Sequence, residues 1–414
     1  MELARENVAT ASGRSPSRAG RARLWWTVHQ WVGLKLSLFL TFILFTGTLA
    51  VVSAEIDWLL QPSLRVTPVA ADQPVNWVAI ARNAQRHPGV AQVQGMEAPA
   101  ASAFAVKVTV SDGEDKLFYL HAHPVTGDIR GQAPWAGAQR ILRNLHRHLN
   151  LPTRIGVPIV GFLGFLLFIS LVTSLVVYKK WWRGFTKPLR SRDARTWWGD
   201  VHRLLGVWSL WFIALIAITG IWYFAESLGL DAPPPPRVEG HAATATLPEA
   251  PDLDRAFAAA RAAHPGLTVR HVLLPGADSP YLQLHGDYQA VLVRPRANAI
   301  WVDPATAKVL LITDGRDLNV HQRISEMADP LHFGSFGGYW TKIPWFLFGL
   351  AMTGLSLSGA AIYSLRIARE RGGRPSLAQG FAGVWRDSPR WRWISASLIA
   401  VGLALMPVLI FQLD

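Results

Sequence analysis

The chain has 414 residues, 50% of them hydrophobic and only 17% charged, with 19 Trp, no Cys and a formal net charge of +13. So large an apolar share with so few charges excludes an ordinary soluble protein. Without Cys there can be no disulfide, iron–sulfur cluster, thiolate zinc site or covalent C-x-x-C-H haem attachment, so any metal or haem must be held by His, Met or oxygen ligands.

In chain order, five apolar stretches at 31–53, 155–178, 204–224, 343–363 and 394–412 are long enough to cross a bilayer, which takes roughly 20 helical residues. The first is too long for a signal peptide, lacks a clear cleavage site and is followed by four more, so it reads as a retained helix. Segments 1–23, 179–203 and 366–392 hold 20 of the 41 Lys and Arg and six acidic residues, a net of +14, and the rest of the chain nets −1. The basic excess therefore reports topology, as the positive-inside rule expects, and not a nucleic-acid partner. The expected partner surface is membrane lipid. Trp25, Trp26, Trp181, Trp182, Trp197, Trp198, Trp391 and Trp393 flank the basic segments as an aromatic belt.

The expected organisation is a cytoplasmic segment 1–23, a first span at 24–54, and a periplasmic α+β module at 55–150. A second span at 151–178, a cytoplasmic loop at 179–203 and a third span at 204–226 follow. A second periplasmic module at 227–342, a fourth span at 343–365, a cytoplasmic loop at 366–392 and a fifth span at 393–414 complete it. The N-terminus is then cytoplasmic and the C-terminus outside. A stiff Pro-rich and Ala/Thr-rich linker is expected over 233–246.

The halves match in order and spacing. His29 begins the first span and Thr46-Gly47 lies 17 positions on; His202 begins the third, with Thr219-Gly220 at the same distance. Ala81-Arg82 to His87-Pro88-Gly89 corresponds to Ala260-Arg261 to His264-Pro265-Gly266. Short strands over 104–110 and 116–120 answer to 281–285 and 290–293. Each set reaches a turn, at 124–127 or 303–306, and then Leu145-His146 or Leu331-His332. The fold class is thus a mainly α membrane protein, built as a tandem parallel repeat with a pseudo-two-fold axis along the membrane normal.

Four His recur at matching places: His29 with His202 at the cytoplasmic ends of spans one and three, and His146 with His332 at the outer approaches to spans two and four. A two-fold axis sets each member opposite its partner, which suits one haem iron between two imidazoles near each face. No convergent carboxylates favour zinc. Gly33, Gly47, Gly206 and Gly220 either leave room for a flat ring or serve close helix packing. His148 lacks a matching residue, since Gly334 stands in its place, and His146 is preferred; His321 reads as structural or substrate-facing. His87 and His264 suit helix C-termini. Arg147 and Arg203 follow candidate ligands and could pair haem propionates, and Arg203 also suits an inside-positive anchor.

The His29 and His202 helix starts, the two His-Pro-Gly modules, Leu-His-Arg at 145–147 and Asp329-Pro-Leu-His-Phe-Gly334 together resemble the PepSY-associated transmembrane family. That family includes inner-membrane proteins of the PiuB/FoxB type, described as dihaem reductases of ferric siderophores. The resemblance implies two PepSY-like modules, two non-covalent b-type haems, and passage of electrons from the cytoplasmic side to a periplasmic ferric siderophore, with release of ferrous iron. The second module departs from the family's Asp-Pro-x-Thr-Gly turn, with Ala307 in place of Gly. No dinucleotide or flavin fingerprint is present, so a quinol or a separate cytoplasmic reductase is the expected electron donor. Two other readings use the same sequence: a haem-free membrane binding or regulatory protein, and a siderophore permease.

Overall fold

The computed structural model describes residues 18–35, 37–70, 72–239, 250–276, 279–370 and 389–412. Most of segment 1–23, the linker beyond residue 239 and most of segment 366–392 lie outside the described residues. Helices α1 (Arg18–Lys35), α2 (Ser37–Val51) and α3 (Ser53–Leu60) open the fold. Helix α4 (Trp77–Gln85) precedes strands β1 (Gln92–Glu97), β2 (Val106–Ser111), β3 (Leu117–Ala122) and β4 (Ile129–Pro134). Helices α5 (Ala138–His148), α6 (Thr153–Gly161), α7 (Leu163–Val177), α8 (Ala194–Trp208) and α9 (Leu210–Ala225) follow. Helix α10 (Ala250–Ala263) leads into β5 (Thr268–Leu273), β6 (Leu282–Asp287), β7 (Ala299–Asp303) and β8 (Lys308–Thr313). The chain closes with α11 (Val320–Phe333), α12 (Tyr339–Glu370), α13 (Pro389–Ala404) and α14 (Met406–Phe411).

Among the described residues, four helical stretches are long and apolar enough to cross a membrane: Thr153–Val177, Leu210–Leu230, Tyr339–Ile367 and Arg390–Phe411. Helices α1 and α2 make a fifth if the bent pair is one span, but they meet at 66°. The expected first helix is therefore bent within its length. Gly33 and Lys35 interrupt its apolar run just before the bend, and sharp bends collect at Gly and Ser positions, not in uniform apolar helix.

The helices pack crosswise. α1 lies on α7 and α8 lies on α12, whereas α2 lies on α12 and α9 lies on α7. The first part of each bent or broken span thus contacts the next span in sequence, and its second part contacts the span from the other half. Small residues allow the approach: a Cβ added at Gly164 would sit 2.8 Å from the Ile221 nitrogen, and one at Gly349 would sit 2.8 Å from Thr48 Oγ1. Phe212, Trp345 and Met352 form a buried apolar cluster between α9 and α12, and α13 covers α2 from outside.

All eight strands join one antiparallel sheet in the order β4-β3-β2-β1-β5-β6-β7-β8. The two sets meet where β1 pairs β5, with Gly95 opposite Leu273 and Glu97 opposite His271. This pairing covers two edges that would otherwise expose unpaired backbone groups. Gly95 is required there, because a Cβ would lie 2.9 Å from the Val272 carbonyl oxygen. One sheet face carries Val106, Val108, Leu120, Val272, Leu284 and Ile300 against the small faces of α4 and α10.

Strands β2, β3 and β6 agree with the expected segments, but 290–293 is not a strand. Leu292 sits in the left-handed region at φ 56°, and the strand that pairs β6 is β7. Arg294 and Arg296 beyond it turn instead to the buried Glu326 on α11, at 3.1 and 2.8 Å. The departure at Ala307 leaves its turn intact. Ala307 takes φ 58°, close to the 78° of Gly127, and Asp303 accepts hydrogen bonds from the Ala305 amide and Thr306 hydroxyl.

Candidate functional site

Helix α5 starts where Asp57 accepts hydrogen bonds from the Ala138 and Gln139 amides at 2.7 and 3.0 Å, an N-terminal cap supplied by α3. Helix α11 starts with a capping box between Asn319 and Gln322 and stops at Gly334, which has φ 67°. These fixed ends bring His146 and His332 together, with ring centroids 6.0 Å apart and planes inclined by 39°. His146 Nδ1 donates to the Ile43 carbonyl at 2.9 Å. His332 Nδ1 lies 2.7 Å from Thr219 Oγ1, whose own proton goes to the Leu215 carbonyl, so the imidazole donates there too. Each hydrogen bond fixes the ring orientation and presents Nε2 as the free lone pair, the state in which imidazole binds a metal.

The other two His follow the same rule on the opposite side of the helices. His29 Nδ1 donates to Thr173 Oγ1 at 3.1 Å, since the Thr173 hydroxyl donates to the Ile169 carbonyl. His202 Nδ1 lies 3.1 Å from the Leu355 carbonyl and 3.0 Å from Ser358 Oγ. Thr173 and Ser358 each stand five positions before a Tyr, Tyr178 and Tyr363, so the partners match as well as the ligands do. His202 is within electrostatic reach of His29, but among the described residues no ring contact joins them. Nor is any hydrogen bond to the Nε2 of the four His formed among the described residues.

The four glycines divide. A Cβ at Gly33 would meet nothing within 4 Å, and one at Gly206 only Leu355 Cδ1 at 3.5 Å, so these two leave space one turn from His29 and His202. Gly47 instead houses an imidazole: a Cβ there would lie 2.5 Å from His146 Cε1. Gly220 serves helix packing, facing the Gly164 Cα at 3.5 Å.

His148 turns away, its Nδ1 donating to the Leu151 carbonyl at 2.7 Å, and the backbone of α6 closes on it at Gly156. His321 is exposed; its Nε2 lies 3.1 Å from the Leu230 carbonyl, and its ring stands edge-on to Trp222. His87 contacts the Pro88 carbonyl, and His264 lies against Tyr288. Arg203 donates to the Lys187 carbonyl at 2.9 Å and lies 3.7 Å from Asp200, which favours its role as a loop anchor. Arg147 is exposed and lines a cavity under the sheet.

Sequence reasoning missed a row of titratable residues across the sheet face that turns toward α3 and α5. Cross-strand pairing places His121, Lys107, Glu97, His271 and His285 in succession over five strands. The signal was present as period-two alternation, because Val106 and Val108 point into the core and Lys107 between them cannot. Lys107 lies 2.6 Å from Glu97; burial opposes the charge on Glu97, but Lys107 outweighs it and holds the carboxyl below its ordinary value. His121 is pushed down to about 4 by burial and then by Lys107, with Ser63 Oγ 2.8 Å from its Nδ1. His285 is pushed down to about 4 by burial, His271 and Arg296, and its buried Nε2 has no hydrogen-bond partner.

Both histidines fold neutral and charge more readily when unfolded. The unfolded chain therefore binds more protons between pH 6.5 and 4, and sheet stability falls as pH drops through that window and levels off below it. For the fully buried His121 the loss is about 3 kcal/mol. Hydrogen-exchange protection of β3 should decline from pH 6.5 to 4 in the wild type and decline less in His121→Asn; equal declines would contradict this assignment.

An uncharacterized protein of Pseudomonas aeruginosa, PA4219, is 27% identical over 158 residues, which cover 33% of this chain and 38% of that protein. The match thus spans well under two thirds of that relative's length. The family model described as the PepSY-associated TM region matches residues 26–366, from α1 through all eight strands to α12, and all four paired histidines fall inside it. With most of its length matched, including every span but the last, the chain belongs to the PepSY-associated TM region family.

Proposed function

We propose that this protein is a transmembrane dihaem oxidoreductase of the PiuB/FoxB kind, built as a tandem repeat with two PepSY-like modules sharing one sheet. It lies in the bacterial inner membrane with the sheet and the C-terminus in the periplasm. The observation that carries the reading is the juxtaposition of His146 and His332. The two rings lie 6.0 Å apart, each with Nδ1 engaged and Nε2 without a partner among the described residues, so the pair would hold one metal-bearing group between them. Among the described residues no group of three or more His, Asp or Glu could hold a metal ion, whereas two His suffice for haem iron.

When bound, a b-type haem supplies a one-electron carrier at each pair. The residues of the chain do the rest. His146 and His332 would hold the outer group and His29 and His202 the inner one, and Ile43, Thr219, Thr173 and Ser358 fix the four rings. His29 and His202 toward one end of the helices and His146 and His332 toward the other would divide the crossing into shorter steps. The net reaction adds one electron to ferric iron in a siderophore, and the ferrous ion is then held weakly and leaves. The electron comes from a quinol or a cytoplasmic reductase.

The protein in sealed vesicles, with a reductant trapped inside, ferric chelate outside and an impermeant ferrous trap outside, should generate trapped ferrous iron well above protein-free vesicles. Purified protein with reducible haem but no ferrous iron outside would overturn the reductase reading; protein with no haem would favour a haem-free regulatory role.

A further inference from the structure

Under the polar face of the sheet lies a cavity of about 300 Å³, walled by β1, β2 and β3 above and by α3 and α5 below. Arg140, Arg143 and Arg147 all line it. Their spacing of three and four residues sets them along one face of α5. The two carboxylates in the wall are already engaged: Glu97 with Lys107 at 2.6 Å, and Asp57 with the start of α5. Among the described residues none of the three arginines forms an ion pair. Arg140 donates to the Tyr119 hydroxyl at 2.8 Å and lies flat on Trp135, 3.4 Å from the ring centre.

Three guanidinium groups along one half-open cleft, two of them exposed, concentrate positive charge toward it beyond what the engaged carboxylates offset. Guanidinium is also the group best shaped to grip carboxylate or phenolate oxygens in pairs. The cavity adjoins the outer histidines. Arg147 follows His146, and Arg143 lies over the ring of Phe333, which contacts the ring of His332. The volume is at the small end of ligand sites.

We propose that this cavity binds an oxygen-rich organic anion, the anionic ferric chelate that is the substrate, with Arg143 and Arg147 gripping its carboxylate or phenolate oxygens and Trp135 offering a flat wall. The substrate role rests on the dihaem reading, but the binding site does not. A haem propionate has the same carboxylate chemistry, and the test separates the two sources.

Equilibrium binding of iron-labelled ferric citrate to the full-length protein in detergent, alongside a neutral ferric trihydroxamate, reads the site directly. Arg143→Gln and Arg147→Gln should each weaken citrate binding at least tenfold, with the neutral chelate unaffected. Arg147→Lys, which keeps the charge but loses the paired donors, should bind citrate more tightly than Arg147→Gln and more weakly than wild type, and guards against a folding defect; Arg154→Gln, which lies outside the cavity, should bind as wild type. Equal affinity for anionic and neutral chelates, or wild-type citrate affinity in both Gln variants, overturns the proposal. So does loss of haem absorbance in those variants with citrate affinity unchanged, because the arginines would then serve a propionate. Citrate binding that survives in protein lacking haem leaves this site standing and removes the reductase reading.

Discussion

Replacing His332 with Ala should remove the outer haem and leave the inner one, halving the haem content and lowering chelate reduction at least 100-fold. His332 is the second-last residue of α11 and has no substitute nearby: Phe333 follows it, and His321 lies at the other end of α11, bonded to Leu230. The same change at His146 should have the same effect, because His148 is turned toward Leu151 and cannot swing into its place. Weakening the support without removing the ligand should cost less. Thr219→Val deletes the oxygen that accepts from His332 Nδ1, and loss of such an orienting partner typically costs 10–100-fold in metal affinity. A graded result, with Thr219→Val between wild type and His332→Ala in outer-haem retention, is the pattern expected of ligation. Equal haem content in all three proteins would contradict it.

The second large effect falls on a residue with no side chain. Gly47→Ala should abolish the outer haem while leaving the helices folded. A Cβ at Gly47 would lie 2.5 Å from His146 Cε1 and 2.7 Å from its Nδ1, so the ring must leave its place and its hydrogen bond to Ile43. Alanine also favours helix over glycine by about 1 kcal/mol, so fold stability should not fall with the haem. Gly220 stands at the matching position, but a Cβ there meets the Gly164 Cα only at 3.5 Å, an ordinary contact. Gly220→Ala should therefore keep both haems. Thermal unfolding and absorbance on the two variants check the contrast, and similar haem loss in both would mean that Gly47 acts through helix packing.

That contrast marks where sequence reading stops. The spacing from His29 to Gly47 and from His202 to Gly220 is identical, yet one glycine seats an imidazole and the other a neighbouring helix. Spacing conveys which residues correspond; it does not convey which neighbour fills the space beside them. The four histidines were legible because they recur in a chain whose apolar spans and basic loops give a frame for placing them. Their Nδ1 partners were not, since Ile43, Thr219, Thr173 and Leu355 are ordinary residues of apolar helices that become partners only when the helices cross. In the sheet, alternation located β2, β3 and β6, but 290–293 satisfied the same pattern without pairing, because Leu292 turns the backbone to positive φ. The joining of both sets of strands through β1 and β5 is a long-range event with no local signal. The polar row from His121 to His285 follows from that register and was hidden with it.

If the two pairs of histidines each hold one haem, haem content must follow the pairs one for one. Pyridine haemochrome analysis of the purified full-length protein tests it most directly. Two b-type haems per chain are expected, falling to one in His332→Ala and to one in His202→Ala; a wild-type protein with no haem, or one whose haem content is unchanged by both substitutions, would contradict the account.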